Sequence, residues 1–136
     1  IDRSSNKKTK IISESDIYGL ALRPGSNTLA MIVNSEIKLL NLENKEMTEL
    51  IDLGAKIKHS YIEWSKDGDW LYFIKCRKET VELWRIDSDG ENPQLVEKEL
   101  PHLANFVIHP DGKRFAFTAS QGGIESSIWL MRNFLQ

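Results

Sequence analysis

The sequence predicts an all-β fold assembled from a repeated four-stranded unit, and three observations lead there. Three segments align with one another, Leu22–Met31, Trp64–Phe73 and Ile108–Phe117, with starting points 42 and 44 residues apart. Each contains a reversal built on Pro-Gly or Asp-Gly between two apolar runs, the residue types that supply the fixed or positive φ of tight turns. No segment spaces its apolar residues at the helical period.

The elements follow in order. Each repeat begins with a short apolar strand that ends at Leu22, Trp64 or Ile108. The turn leads into a second strand, Leu29–Val33, Leu71–Ile74 and Phe115–Thr118. These runs are almost wholly apolar or aromatic, the signature of strands covered on both faces. A third strand follows at Ile37–Asn41, Leu83–Asp87 and Ile128–Arg132, and polar turns at Glu43–Lys45 and Ser88–Glu91 lead to a fourth. That fourth strand, around Glu46–Ile51 and Gln94–Glu97, is more polar. An outermost strand is expected to be charged, because an apolar free edge recruits other chains. Four strands per repeat of about 40–45 residues is the period of a β-propeller blade.

The expected fold is thus a partial, open propeller of about three four-stranded antiparallel repeats, occupying 1–136. Residues 1–16 are expected to supply the outer strand of a preceding or closing blade, centred on Lys8–Ile12, since Ile1-Asp2 matches Ile86-Asp87. Residues 17–57 and 58–100 form two blades, and 101–136 a third that lacks its own outer strand, for twelve strands in all. Closed rings have about four to eight blades. Three leave two flat apolar faces uncovered, which calls for the remaining blades of a larger propeller or for a second copy of the chain.

Composition narrows the function. With 18 Lys+Arg against 20 Asp+Glu, the net charge of −2 speaks against a nucleic-acid partner, which calls for clustered cations. No apolar run approaches the ~20 residues of a membrane-spanning helix. The chain opens Ile1-Asp2-Arg3-Ser4 without Met or a signal-peptide layout, so it reads as processed or as a piece. The lone Cys76 leaves the redox compartment open and lacks the partners of a zinc site.

The turns carry a family resemblance. His109-Pro110-Asp111-Gly112-Lys113 resembles the Ser-Pro-Asp-Gly-Lys turn of TolB-type, WD-like β-propellers. Ser65-Lys66-Asp67-Gly68-Asp69 replaces the Pro with Lys, and Arg23-Pro24-Gly25-Ser26-Asn27 has lost the Asp-Gly pair. Ile86–Pro93 is similar to that family's second Asp-Gly turn, and Ile128–Leu135 looks like the carboxyl end of bacterial propellers of this kind. The resemblance spans essentially the whole chain. It implies a scaffold, a sensor domain or a peptidase gate, in a periplasmic or extracellular setting.

Asp87-Ser88-Asp89-Gly90-Glu91-Asn92 has the carboxylates of a calcium loop, but its Gly is misplaced for an EF-hand and a hairpin turn explains it better. His59 and His102 fall within one position of each other in the repeat, and His109 takes the turn position usually held by Ser, so repetition accounts for all three histidines. Ser5/Lys8 and Ser35/Lys38 match Ser-x-x-Lys without companion motifs. Arg77 and Lys78 could lower the Cys76 thiol pKa, though packing is the simpler role. Lys7, Lys8 and Lys10 suit a protected edge strand.

No catalytic residue, metal site or cofactor emerges. The leading expectation is a non-catalytic scaffold or protein-interaction module with a protein partner. Its candidate contact residues are Lys58, His59, Tyr61, His102 and Asn105 near one mouth of the ring, with Trp84 and Trp129 as aromatic anchors if they are exposed. Inter-blade packing is the competing role for both tryptophans. The alternatives are the gating propeller of a prolyl-oligopeptidase-like serine peptidase and a small-ligand sensor.

Overall fold

A computed structural model describes residues 7–54, 61–76, 78, 80–101, 103–121 and 125–133. The described residues form eleven strands and no helix. β1 (Ile17–Leu22), β2 (Thr28–Val33), β3 (Glu36–Asn41) and β4 (Met47–Asp52) make the first sheet. β5 (Ile62–Trp64), β6 (Trp70–Cys76), β7 (Val81–Asp87) and β8 (Gln94–Leu100) make the second. β9 (Leu103–Ile108), β10 (Arg114–Gln121) and β11 (Glu125–Arg132) make a third sheet of three strands. All neighbours are antiparallel and consecutive in sequence, so each sheet is a meander.

The turn after the first strand is the same hairpin three times over. Arg23 N–H donates to Thr28 O, Ser65 N–H to Trp70 O and His109 N–H to Arg114 O, at 2.8–2.9 Å. Inside each, an i to i+3 bond closes the turn, from Ser26 to Arg23, Gly68 to Ser65 and Gly112 to His109. Only the place of the positive φ differs. In the second and third turns it falls on the residue that donates this bond, Gly68 or Gly112, as when a type I turn is followed by a left-handed residue. In the first it falls one residue earlier, on Gly25 after Pro24, as in a type II turn. One hairpin thus tolerates the loss of Asp-Gly.

The second strands carry the core. Ala30–Val33 and Leu71–Ile74 are buried on both faces, because strand alternation sends successive side chains to opposite neighbours. Ala30 and Ile32 face the second blade and meet Leu71, Phe73, Ile62 and Trp64. Tyr72 and Ile74 face the third and meet Phe106, Phe115, Phe117 and Ala119. In β10 the alternate residues Phe115, Phe117 and Ala119 are buried, while Ala116 and Thr118 are half-buried on the outward face.

Of residues 1–16, expected to hold an outer strand, the described 7–16 are in no strand, and the described residues hold eleven strands where twelve were expected for the chain. An outer strand needs the free edge of a third strand, and among the described residues that edge is β11's, in the third sheet. Within it, Ile12 packs against the first-blade cluster of Met31, Val33 and Leu40.

Gly90 tests how tightly the blades are stacked. A Cβ there would meet Leu50 O in the neighbouring blade at 2.8 Å, at φ +79°, whereas one on Gly112 would meet nothing within 4 Å. Gly112→Ala should therefore cost about 1–2 kcal/mol from its left-handed backbone alone, and Gly90→Ala should cost more by urea unfolding. Equal costs would show that the two blades do not meet there.

Candidate functional site

The blades are joined at the end of their first strands by polar contacts that the sequence reading missed. Trp64 Nε1–H donates to Ala21 O across the first seam at 3.1 Å. Arg23 Nε–H donates to Gly68 O at 2.8 Å, and its guanidinium lies 5.3 Å from the Trp64 ring centroid. At the second seam Ile108 N–H donates to Glu63 Oε2 at 3.2 Å. Glu63 and Ile108 occupy the same repeat positions as Ala21 and Trp64, so one pair of positions ties both seams. The fixed spacing of 42–44 residues was the available signal.

Glu63 is half-buried beside a groove of about 260 Å³ that Lys66, His109 and Pro110 also line. Burial pushes its carboxyl up from the ordinary value, against the opposing pull of the Ile108 N–H. Asp111 is the reverse case: its carboxylate accepts from Lys113 N–H and Arg114 Nε–H at 2.9 Å each. Those bonds, with the Arg114 and His109 charges, hold it down to about 2. The Asp87 carboxylate accepts from Glu91 N–H at 3.0 Å and Asn92 Nδ2–H at 2.6 Å, which makes the acidic segment a self-bonded turn. No cluster of three metal-ligating side chains occurs among the described residues. Burial pushes the Cys76 thiol up, opposite to the reactive direction.

Of the candidate contact residues, Lys58, His59 and His102 lie outside the described residues. Tyr61 is half-buried against the cluster between the second and third blades. Asn105 is exposed on the outward face of the third blade. The tryptophans part company. Trp84 packs against the first inter-blade cluster, its Nε1–H donating to Glu82 Oε2 at 2.8 Å and the Lys75 ammonium 4.3 Å from its ring. Trp129 stacks on Phe117, with centroids 6.3 Å apart, yet keeps 48% of its surface exposed. Tyr61, Trp84 and Trp129 thus face the seams, and Asn105 faces away from them.

The surface that stands out is the outward face of the third blade. Register places Val107 and Leu130 on either side of Ala116, and Asn105 and Ile128 on either side of Thr118. Val107, Ile128 and Leu130 are 61%, 83% and 53% exposed. Below them runs a shallow groove of about 210 Å³ between Val107, Pro110, Arg114 and Leu130. At the other end of the stack, Leu20 and Leu22 are exposed beside buried Met31 and half-buried Leu29.

Serial antiparallel meanders, two of four strands and one of three among the described residues, stacked face to face and left unclosed, define a β-propeller segment. Comparison with solved structures makes the fold more particular: it is a TolB-like propeller fold. Putative TolB from Agrobacterium tumefaciens matches at 16% identity and TM-score 0.75 over 91% of this chain and 48% of that one. TolB from Acinetobacter baumannii matches at 16% identity and TM-score 0.73 over 90% and 32%. An acylaminoacyl peptidase from Pyrococcus horikoshii matches at 15% and 0.62 over 86% and 23%. The chain therefore spans less than half the length of each. No protein-family model and no curated protein sequence matches it.

The two shifted carboxyls give opposite pH signatures. Above its raised pKa the Glu63 charge opposes folding, and the penalty disappears as pH falls below the unfolded value of 4.5. Glu63→Gln should thus raise the urea midpoint at neutral pH, with the gain fading in acid. Asp111 contributes stability that is present above its unfolded value of 3.8 and lost as pH falls through about 2. Asp111→Asn should lower the midpoint at neutral pH, and the two curves should converge toward that acid limit. Parallel curves would contradict either assignment.

Proposed function

We propose that the chain is a non-catalytic β-propeller segment that serves as a scaffold or protein-interaction module, of the kind TolB-like bacterial propellers resemble. The observation that carries this reading is the exposed apolar face of the third blade, where Val107, Ile128 and Leu130 project from regular strands rather than from mobile loops. Rigid, exposed apolar residues in one patch are what a protein interface uses. Trp129, held by Phe117 at the border of that blade, adds an aromatic anchor. Tyr61 and Asn105, with Lys58, His59 and His102, remain the proposed contacts at the mouth. The resemblance supports a periplasmic or extracellular site of action; no described helix is long and apolar enough to cross a membrane.

The likeness to the Pyrococcus acylaminoacyl peptidase supports a second reading, a blade set from the gating propeller of a serine peptidase. A parent reading frame that also encodes a serine hydrolase domain is what this reading requires. A third reading, a sensor for a small ligand, requires saturable binding of a small molecule.

Incubation of the purified chain with ester, peptide and glycoside substrates separates the first reading from any intrinsic enzyme. The expected outcome is no turnover that tracks the chain. Turnover abolished by a single substitution would overturn the non-catalytic reading.

A further inference from the structure

We propose that Asp89-Gly90 is a site of spontaneous covalent modification, where Asp89 converts to isoaspartate through a succinimide, and that the conversion loosens the seam between the first and second blades. The Gly90 nitrogen attacks Cγ of Asp89, and because Gly has no Cβ the approach is open. One C–N bond forms, one C–O bond breaks, and the carboxyl hydroxyl leaves as water with the amide proton. Solvent water then adds to the cyclic imide and breaks one of its two C–N bonds. Opening at the side-chain carbonyl restores Asp, whereas opening at the main-chain carbonyl leaves the chain running through Cβ and Cγ of residue 89.

The chain supplies its own controls, because it holds three Asp-Gly pairs, Asp67-Gly68, Asp89-Gly90 and Asp111-Gly112. Their turns match. In each the glycine N–H donates to the carbonyl three residues back, on Ser65, Asp87 or His109, at 2.9, 3.0 and 2.8 Å. The glycine φ is +77°, +79° and +68°, and all three aspartates are exposed. Dipeptide, turn and solvent access therefore do not separate the pairs; the partners of the carboxyl do. Asp67 Oδ1 accepts from Ser65 Oγ–H at 2.5 Å and from Asp69 N–H at 3.0 Å. The Asp111 carboxylate accepts from Lys113 N–H and Arg114 Nε–H. The Asp89 carboxyl has no hydrogen bond or ion pair among the described residues.

Such bonds oppose cyclisation in two ways. They must be broken before the carboxyl can swing back to the next residue's nitrogen, and they favour the ionised form, whereas the departure of water needs the neutral acid. Holding Asp111 down to about 2 from 3.8 leaves it roughly sixtyfold less neutral acid than an ordinary Asp at the same pH. The Ser65 hydroxyl, and then the Asp69 N–H, lower Asp67 as well. Asp89 has no such bond to break, because Asp87 performs that role in its turn, accepting from Glu91 N–H and Asn92 Nδ2–H. The product is placed where it does harm. Isoaspartate lengthens the main chain by one carbon, about 1.5 Å, immediately before Gly90. Gly90 lies so close to the first blade that even a Cβ would come to 2.8 Å from Leu50 O. The lengthened turn cannot keep both that approach and the Gly90 to Asp87 bond.

Peptide mapping of the 136-residue chain, aged for weeks at mildly acidic pH, tests this directly, since the three pairs fall on separate tryptic peptides. Isoaspartate should accumulate at residue 89 at least roughly tenfold faster than at 67 or 111, the factor that one hydrogen bond to a charged group supplies. Electron-transfer fragmentation distinguishes residue 89 from Asp87 on their shared peptide. In urea the turn bonds are lost, and the three rates should converge. Ageing should lower the urea midpoint of the native chain by roughly half a molar. Asp89→Glu, which would have to close a larger and slower-forming ring at an exposed position, should keep its midpoint through the same treatment. Equal rates at the three pairs in the native chain, or faster conversion at 67 or 111, overturn the proposal. So does a midpoint that ageing leaves unchanged, or lowers as far in Asp89→Glu.

Discussion

Every blade here is a sheet with two apolar faces, and the stack depends on each face meeting another. The constraint originates in the second strands. Because side chains alternate across a strand, an unbroken run such as Ala30-Met31-Ile32-Val33 must send Ala30 and Ile32 one way and Met31 and Val33 the other. Such a run cannot be satisfied by a single partner. An amphipathic strand would allow a sandwich with one wet face, whereas these strands require a series. Burying Tyr72 and Phe73 on opposite sides of one strand therefore fixes the order of three sheets at once. At ~25 cal/mol per Å² of apolar surface, the faces supply the energy, and the exposed ends of the series forgo it.

Apolar faces alone would let sheets slide over one another, and the polar contacts at the first-strand ends prevent that. The Trp64 and Ala21 bond, the Arg23 and Gly68 bond, and the Ile108 and Glu63 bond all connect residues 43–45 positions apart. Each is formed near a turn whose own geometry is fixed by local hydrogen bonds, so the seam is registered by rigid parts. The cost falls on Glu63, whose carboxylate is drawn into partial burial to receive a single backbone donor. Where the first seam uses an indole donor and a backbone acceptor, the second uses a backbone donor and a charged acceptor. The connection is kept while its chemistry changes.

The period, the second strands and the turns were legible because they depend on neighbours close in sequence. Asp111-Gly112 and Pro24-Gly25 announce hairpins through their own dihedral preferences, and Phe115-Ala116-Phe117 announces a buried strand through composition. The exposure of the third blade was not legible residue by residue. Ile37-Lys38-Leu39 and Ile128-Trp129-Leu130 read alike, yet Ile37 is buried and Ile128 exposed, because burial depends on what lies across the seam. The same limit applies to Trp84 and Trp129. They share a repeat position, but Trp84 is packed into the first seam, and Trp129 lies in β11, whose outer edge is unpaired among the described residues. Residues 8–12 have a strand's composition and no strand, since pairing is a property of two segments and not of one.

The comparison with solved structures separates what the fold demands from what function adds. At 16% identity most side chains differ from those of the Agrobacterium protein, yet the backbone superposes at a TM-score of 0.75. What such a likeness shows is the fold, which many residue types can satisfy. The same sheets also superpose on part of a peptidase chain, so the stacked faces do not by themselves define a function. Stacking leaves side chains free on the outward faces of the first and third sheets, where Leu20, Leu22, Val107, Ile128 and Leu130 are exposed. At the two seams the facing side chains are spent on one another. In the third sheet, Ile128 stays 83% exposed, whereas its repeat equivalents Ile37 and Leu83 are buried at the seams.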